Sequence, residues 1–169
     1  MANRAYLFIS NSAQDWEYSN RQYFDSRHNI PLAWWFLFRE ENVFLVDVES
    51  YDGKEVRFSA NKTSAPATLA NHKDLLSQIV GAKLDPELLE WFIGNISDWP
   101  EEFLLMNPWE VLQGEEHDYE PCLQIARRIH AAPPDIDRII EAVSLYSQVD
   151  YSQSDAEEII INVIGYTYW

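Results

Sequence analysis

The dominant hydrophobic period of this chain changes near Ser64-Ala65-Pro66, and that change limits the folds available to it. Before it, apolar residues come in short runs or alternate, as strands require. After it, they recur every three or four residues, as one face of a helix requires. Ala5-Tyr6-Leu7-Phe8-Ile9 reads as a strand buried on both faces. Val43 to Glu49 alternates in part, and Glu55 to Ala60 follows it after Tyr51-Asp52-Gly53. Asp-Gly between two such runs predicts a β-hairpin, because that turn needs positive φ. Asn11 to Asn29 shows no clear period and reads as a loop with room for one helical turn. Pro31 opens a short helix to Arg39, a position where its missing N–H costs nothing. Trp34 and Trp35 within it are expected to split, one ring inward and one outward.

Beyond Pro66 the stripe Leu69, His72, Leu75, Leu76, Ile79 and Val80 predicts a helix ending at Gly81. Asp85 caps a second helix with Pro86 at its first position, and Leu88, Leu89, Phe92, Ile93 and Ile96 form its core face. Phe103-Leu104-Leu105-Met106 reads as a short strand, although 102–112 carries signals of both kinds. A third helix spans about Asp118 to Ala131, and a fourth starts at Asp135. Ser154-Asp155-Ala156-Glu157 has the pattern of a capping box with Ser154 as the cap. The run after it, Ile159 to Ile164, is β-branched; it suits helix or strand, as 159–169 does as a whole, and is read as helix. Strands first and helices after define an α+β class. The expected organisation is one domain over 1–169, with a strand-rich part (1–62) and a helix-rich acidic part (63–169). At this length a fold typically buries roughly 70% of the surface its unfolded chain exposes, and a 47% hydrophobic composition can supply such a core.

Charge narrows the function classes. The chain has 28 Asp and Glu against 12 Lys and Arg, a net of −16. Residues 1–62 hold seven basic and nine acidic side chains; residues 63–169 hold five and nineteen. From Leu84 to Ala126 there are eleven acids and no Lys or Arg. Such a molecule repels nucleic acid and anionic membranes and attracts basic proteins. The longest dense apolar run, Ile30 to Phe38, is too short to span a bilayer. One cysteine allows no internal disulfide, and Met1-Ala2-Asn3-Arg4 opens no secretory leader, so a cytoplasmic location is expected.

Catalytic signatures are missing from the sequence. The four histidines form no HxxxH or HxH pair, so no metal site is expected. Glu115-Glu116-His117-Asp118 reads as an acidic turn before a helix. Cys122 lies on an apolar stripe and reads as core. His130 falls at a helix end, where an imidazolium would suit the dipole. Only five glycines are present, and no phosphate-cradling loop; no cofactor is expected.

The tryptophans point instead to partner binding. On a wheel turning about 100 degrees per residue, Trp91 falls with Glu87, Glu90 and Asp98, away from the core stripe. Three arrangements fit: a loop covers Trp91, it is singly exposed, or it anchors an interface, where Trp is enriched. Trp99 with Glu101 and Glu102, and Trp109 with Glu110, repeat the pairing of Trp and acid. The candidate surface is therefore Glu87, Glu90, Trp91, Asp98, Trp99, Glu101, Glu102, Trp109 and Glu110.

The opening Ala2-Asn3-Arg4-Ala5-Tyr6-Leu7 resembles the start of a family of uncharacterised bacterial cytoplasmic proteins. The general profile (small, acidic, aromatic-rich, without catalytic motifs) is similar to that of the immunity proteins of polymorphic toxin systems. That resemblance implies a non-enzymatic module that binds and blocks a basic toxin. Two other classes stay open: a small-ligand binder or enzyme with an unrecognised site, and a structural subunit whose tryptophans bury in a homodimer.

Overall fold

A computed structural model of the chain describes residues 3–16, 23–48, 53–112 and 116–168. It is α+β. Strands β1 (Arg4–Ser10), β2 (Tyr23–Arg27), β3 (Val43–Val48), β4 (Gly53–Asn61), β5 (Phe103–Asn107) and β6 (Tyr166–Tyr168) form one antiparallel sheet in the order β3-β4-β5-β1-β2-β6. The helices are α1 (Leu32–Trp35), α2 (Ser64–Asn71), α3 (Lys73–Val80), α4 (Pro86–Asp98), α5 (Tyr119–Ile129), α6 (Ile136–Val143) and α7 (Ala156–Val163). Short 3-10 turns precede β3 and α5.

Alternation along the strands sorts side chains into two layers. Ala5, Leu7 and Ile9 of β1, Phe24 of β2, Val56, Phe58 and Ala60 of β4, and Leu104 and Met106 of β5 join the helices in one continuous core. Tyr6, Phe8 and Leu105 form a smaller cluster on the second face, packed by Trp16, Tyr23 and Phe103. That face also buries charge. Asp25 is fully buried beside Arg4 at 2.9 Å, and Glu55 pairs with Arg57. Burial pushes the Asp25 carboxyl up, against the pull of Arg4 and Arg27.

Ile30 to Phe38 is buried throughout and lies between sheet and helices. The expected split of Trp34 and Trp35 is therefore overturned: a segment with protein on all sides has no outward face. Trp35 packs edge-on against Phe58 and tilts over Tyr146. Its indole donates to Ser147 Oγ at 2.8 Å, and Ser147 donates on to the Ile30 carbonyl. The Trp34 indole donates to the Ile164 carbonyl at 2.8 Å.

Several boundaries differ from the sequence expectations for local reasons. The hairpin of β3 and β4 forms, while Tyr51 and Asp52 of its turn lie outside the described residues. The helix expected over Leu69–Val80 is two helices broken at His72, whose φ of −114° and ψ of 14° are not helical. Tyr23–Arg27, expected as loop, is a strand, because the β1 edge offers it a ladder. At α7 the cap is Asp155, accepting from Glu158 N, while the Ser154 hydroxyl accepts from Gln148. Asp85 caps α4 as expected, and Asp135, where the fourth helix was expected to start, caps α6. The helical reading of the last segment holds to Val163. Gly165, at φ +94°, then turns the chain into β6.

Gly165 is required twice over. Its φ disfavours any Cβ, and a Cβ there would sit 2.8 Å from the Asp25 carbonyl and 3.0 Å from Trp34. Gly81 shares the positive φ but has open space around it. Gly81→Ala is expected to cost about 1 kcal/mol, and Gly165→Ala clearly more, in urea denaturation. Cys122 is fully buried, and that burial raises its thiol well above its ordinary value. A thiol reagent should therefore leave the folded chain unmodified and label it on unfolding.

Candidate functional site

Helix α4 lies across the sheet's core face, and Phe24 is its anchor. Phe92 meets that ring edge-on at 5.0 Å and Trp91 at 6.2 Å, while Trp99 is tilted over it at 5.4 Å. Leu89, Phe92 and Ile96 are buried, as the wheel predicts. Trp91 is 43% exposed. Its ring stands nearly perpendicular to Phe24, and somewhat more than half of the residue is covered. Glu87, Glu90 and Asp98 are exposed on the same helix. Glu90 is held by Lys73 from α3. The carboxylates of Glu87 and Asp98 have no hydrogen-bond or ion-pair partner among the described residues. Gly94 and Asn95 fall within about 60 degrees of Trp91 on the wheel. Gly94 sits in regular helix, and a Cβ there would meet nothing within 4 Å.

The other proposed contact residues divide. Trp99 is 3% exposed, so it is a core residue and not a contact surface. The helix ends there, the Trp99 N–H closes on the Ile96 carbonyl, and the ring folds back onto Phe24. Its carbonyl accepts from Lys62. Glu101 is half-buried, with one carboxylate oxygen lacking a described partner. Glu102 is exposed, and its carbonyl accepts from Lys62 N. Trp109 is 41% exposed beyond the end of β5. Glu110 is half-buried, and its carboxylate accepts from Arg4 N at 2.8 Å. No described hydrogen bond, ion pair or ring contact joins Trp109 to α4. Gly94 was not among the predicted residues. A glycine inside a capped helical pattern was the available signal, since it is costly there.

Elsewhere, chemistry-bearing groups are engaged structurally. Tyr146 donates to Asp118 at 2.6 Å, and burial with that bond raises its phenol. Glu40 and Arg127 line an open groove and hold each other's charge at 2.5 Å. Their hydrogen bond is the main cause lowering the Glu40 carboxyl and raising Arg127. Among the described residues no group of three or more His, Cys, Asp or Glu could hold a metal ion. No described helix is long and apolar enough to cross a membrane.

One pair of histidines meets across the fold. His72 and His130 lie edge to face with ring centroids 4.6 Å apart. His72 Nδ1 donates to the Thr68 carbonyl and His130 Nε2 to the Phe38 carbonyl, since carbonyls only accept. His130 is the C-cap of α5, so the helix-end placement holds, while its protonated form is disfavoured. Burial pulls its proton affinity down, reinforced by His72 and Arg39 against the opposing pull of the Phe38 bond and Glu41.

Comparison with protein-family models, curated proteins and solved structures finds no match for this chain.

The His130 geometry sets a pH dependence. Folded His130 holds its proton less tightly than the unfolded value of 6.5. Below about pH 6.5 the unfolded chain takes up a proton that the folded chain refuses. Its contribution is therefore complete above that pH and is lost as pH falls towards the folded value. Urea denaturation at pH 7.5 and 5.5 should show a smaller loss of stability on acidification in His130→Gln than in the unaltered chain.

Proposed function

We propose that this chain is a non-enzymatic, acidic protein-binding module that captures a basic protein through the outward face of α4. The reading is of the kind its resemblance to toxin-neutralising immunity proteins implies. One observation carries it: Trp91 is large, half exposed, braced from below by Phe24, and flanked on its own helix by the free carboxylates of Glu87 and Asp98.

Each part has a physical use. A tryptophan already held against Phe24 loses little freedom on binding, so its burial goes into affinity. Carboxylates at the rim attract a basic partner during approach and make association sensitive to salt. Gly94 supports the same face. In a helix interior glycine costs roughly 0.5–1 kcal/mol relative to alanine, and the surrounding fold leaves room for a Cβ. The fold gains nothing from it, whereas a partner crossing α4 gains close approach.

The test uses variants of this face with chemical cross-linking and mass spectrometry in the native cell, followed by binding kinetics with the basic protein recovered. Trp91→Ala should weaken binding by about 2 kcal/mol, the range of a hot spot, chiefly through faster dissociation. Glu87→Gln with Asp98→Asn should slow association and flatten its salt dependence. Gly94→Ala should raise stability by about 0.5–1 kcal/mol while weakening the complex. Recovery of no basic partner, or a dimer of this chain dissolved by Trp91→Ala, would replace the reading with another.

A further inference from the structure

We infer that the outer edge of β3 is a second docking site, which adds an extended, positively charged segment of a partner protein as a seventh strand. This edge is separate from α4, and the inference does not rest on the reading above.

β3 ends the sheet on one side. No described strand or backbone bond occupies its outer edge. Natural sheets blunt such edges with lysine, proline, bulges or very short strands. The opposite edge follows that rule: β6 has three residues. β3 does not. It runs six residues as Val-Phe-Leu-Val-Asp-Val, and it pairs with β4 residue for residue from Val43↔Phe58 to Val48↔Gly53, without a bulge. Phe44, opposite Arg57 on the sheet's second face, is 43% exposed.

Space for an added strand exists on both sides. An open groove of about 560 Å³ lies between β3 and the segment after β1, lined by Ala13, Trp16, Phe44 and Val46. Another of about 640 Å³ lies on the helical side, lined by Val43, Tyr119 and Leu123 with Glu40, Glu41 and Arg127. The grooves share Phe44. An incoming strand alternates its side chains between two faces, so successive residues would enter the two grooves in turn. Main-chain bonds then supply affinity and the grooves supply selection, as in strand addition generally.

Charge decides the occupant. An antiparallel second copy would set Glu40 and Glu41 of one molecule against Asp47 of the other, on two chains of −16 each. Locally the charges are largely answered: Arg127 engages Glu40 and Glu120, Lys54 stands opposite Asp47 in the β4 ladder, and Arg39 adjoins the Glu40-Glu41 pair. The choice of occupant therefore rests on the net charge of −16, which opposes a second copy and favours a segment with a β-branched centre and Lys or Arg at its ends.

The probe is a synthetic peptide of alternating valine and threonine with lysine at each end. The comparisons are the same peptide ended in glutamate and one with a central proline. Titration into the full chain, followed by amide hydrogen exchange, should show binding of the lysine peptide with slowed exchange at alternate β3 amides. Affinity should fall at least about tenfold for the glutamate peptide and for the Phe44→Lys chain. Phe44 is exposed, and the proline peptide on the unaltered chain tests the same edge without any substitution. Failure of the lysine peptide to bind would overturn the inference. So would equal binding of the glutamate or proline peptides, or self-association protecting β3 without peptide. Each of these leaves the α4 reading untouched.

Discussion

The fold depends on a nine-residue segment with nowhere to go but inward. Ile30 to Phe38 carries Trp34, Trp35, Phe36 and Phe38, all buried, between the sheet and the C-terminal helices. Burying rings of this size removes about 200 Å² each from water, on the order of 5 kcal/mol apiece as an upper bound before conformational entropy. The indole N–H groups would forfeit much of that if left unpaired in the interior. Both find acceptors far along the chain, at Ser147 and at the Ile164 carbonyl. The C-terminal third therefore does more than cover the sheet. It provides the polar partners that allow two adjacent tryptophans to be buried, and Gly165 gives Trp34 the room to reach one of them.

That dependence explains what could be read from sequence and what could not. Elements with local causes were legible. Asp85 with Pro86 marks the start of α4 by its own chemistry, and the Val43–Ala60 pattern marks a hairpin by its period. Elements that owe their state to distant partners were not. Tyr23–Arg27 has a weak pattern and becomes a strand because β1 and β6 flank it. The pair Trp34-Trp35 looks amphipathic only until a second layer closes over it. The helix break at His72 places its ring against His130, fifty-eight positions away in sequence, and no local period encodes that meeting.

The candidate surface was legible in the same uneven way. A wheel separates Trp91, Glu87 and Asp98 from Leu89, Phe92 and Ile96 because a helix fixes where each side chain points. Trp99 follows the helix, beyond the reach of that rule, and its neighbours Pro100 and Glu101 suggest an exposed loop. The core beside Phe24 draws the ring in instead. Glu110 likewise looked like part of an acidic rim and turns out to hold the backbone at Arg4.

The acidic stretch is thereby divided by use. Asp85 caps α4, Glu90 holds Lys73, Glu110 accepts from Arg4, Asp118 accepts from Tyr146, and Glu120 pairs with Arg127. Each of these carboxylates has its charge partly answered within the molecule, and an answered charge contributes little to the attraction of a distant partner. Glu87, Asp98, Glu102 and Glu116 have no described side-chain partner, and of these Glu87 and Asp98 lie on a helix packed on Phe24 and notched by Gly94. Their place beside the one exposed aromatic on that helix is what supports the proposed binding face, because approach is governed by unpaired charge and residence by a buried ring.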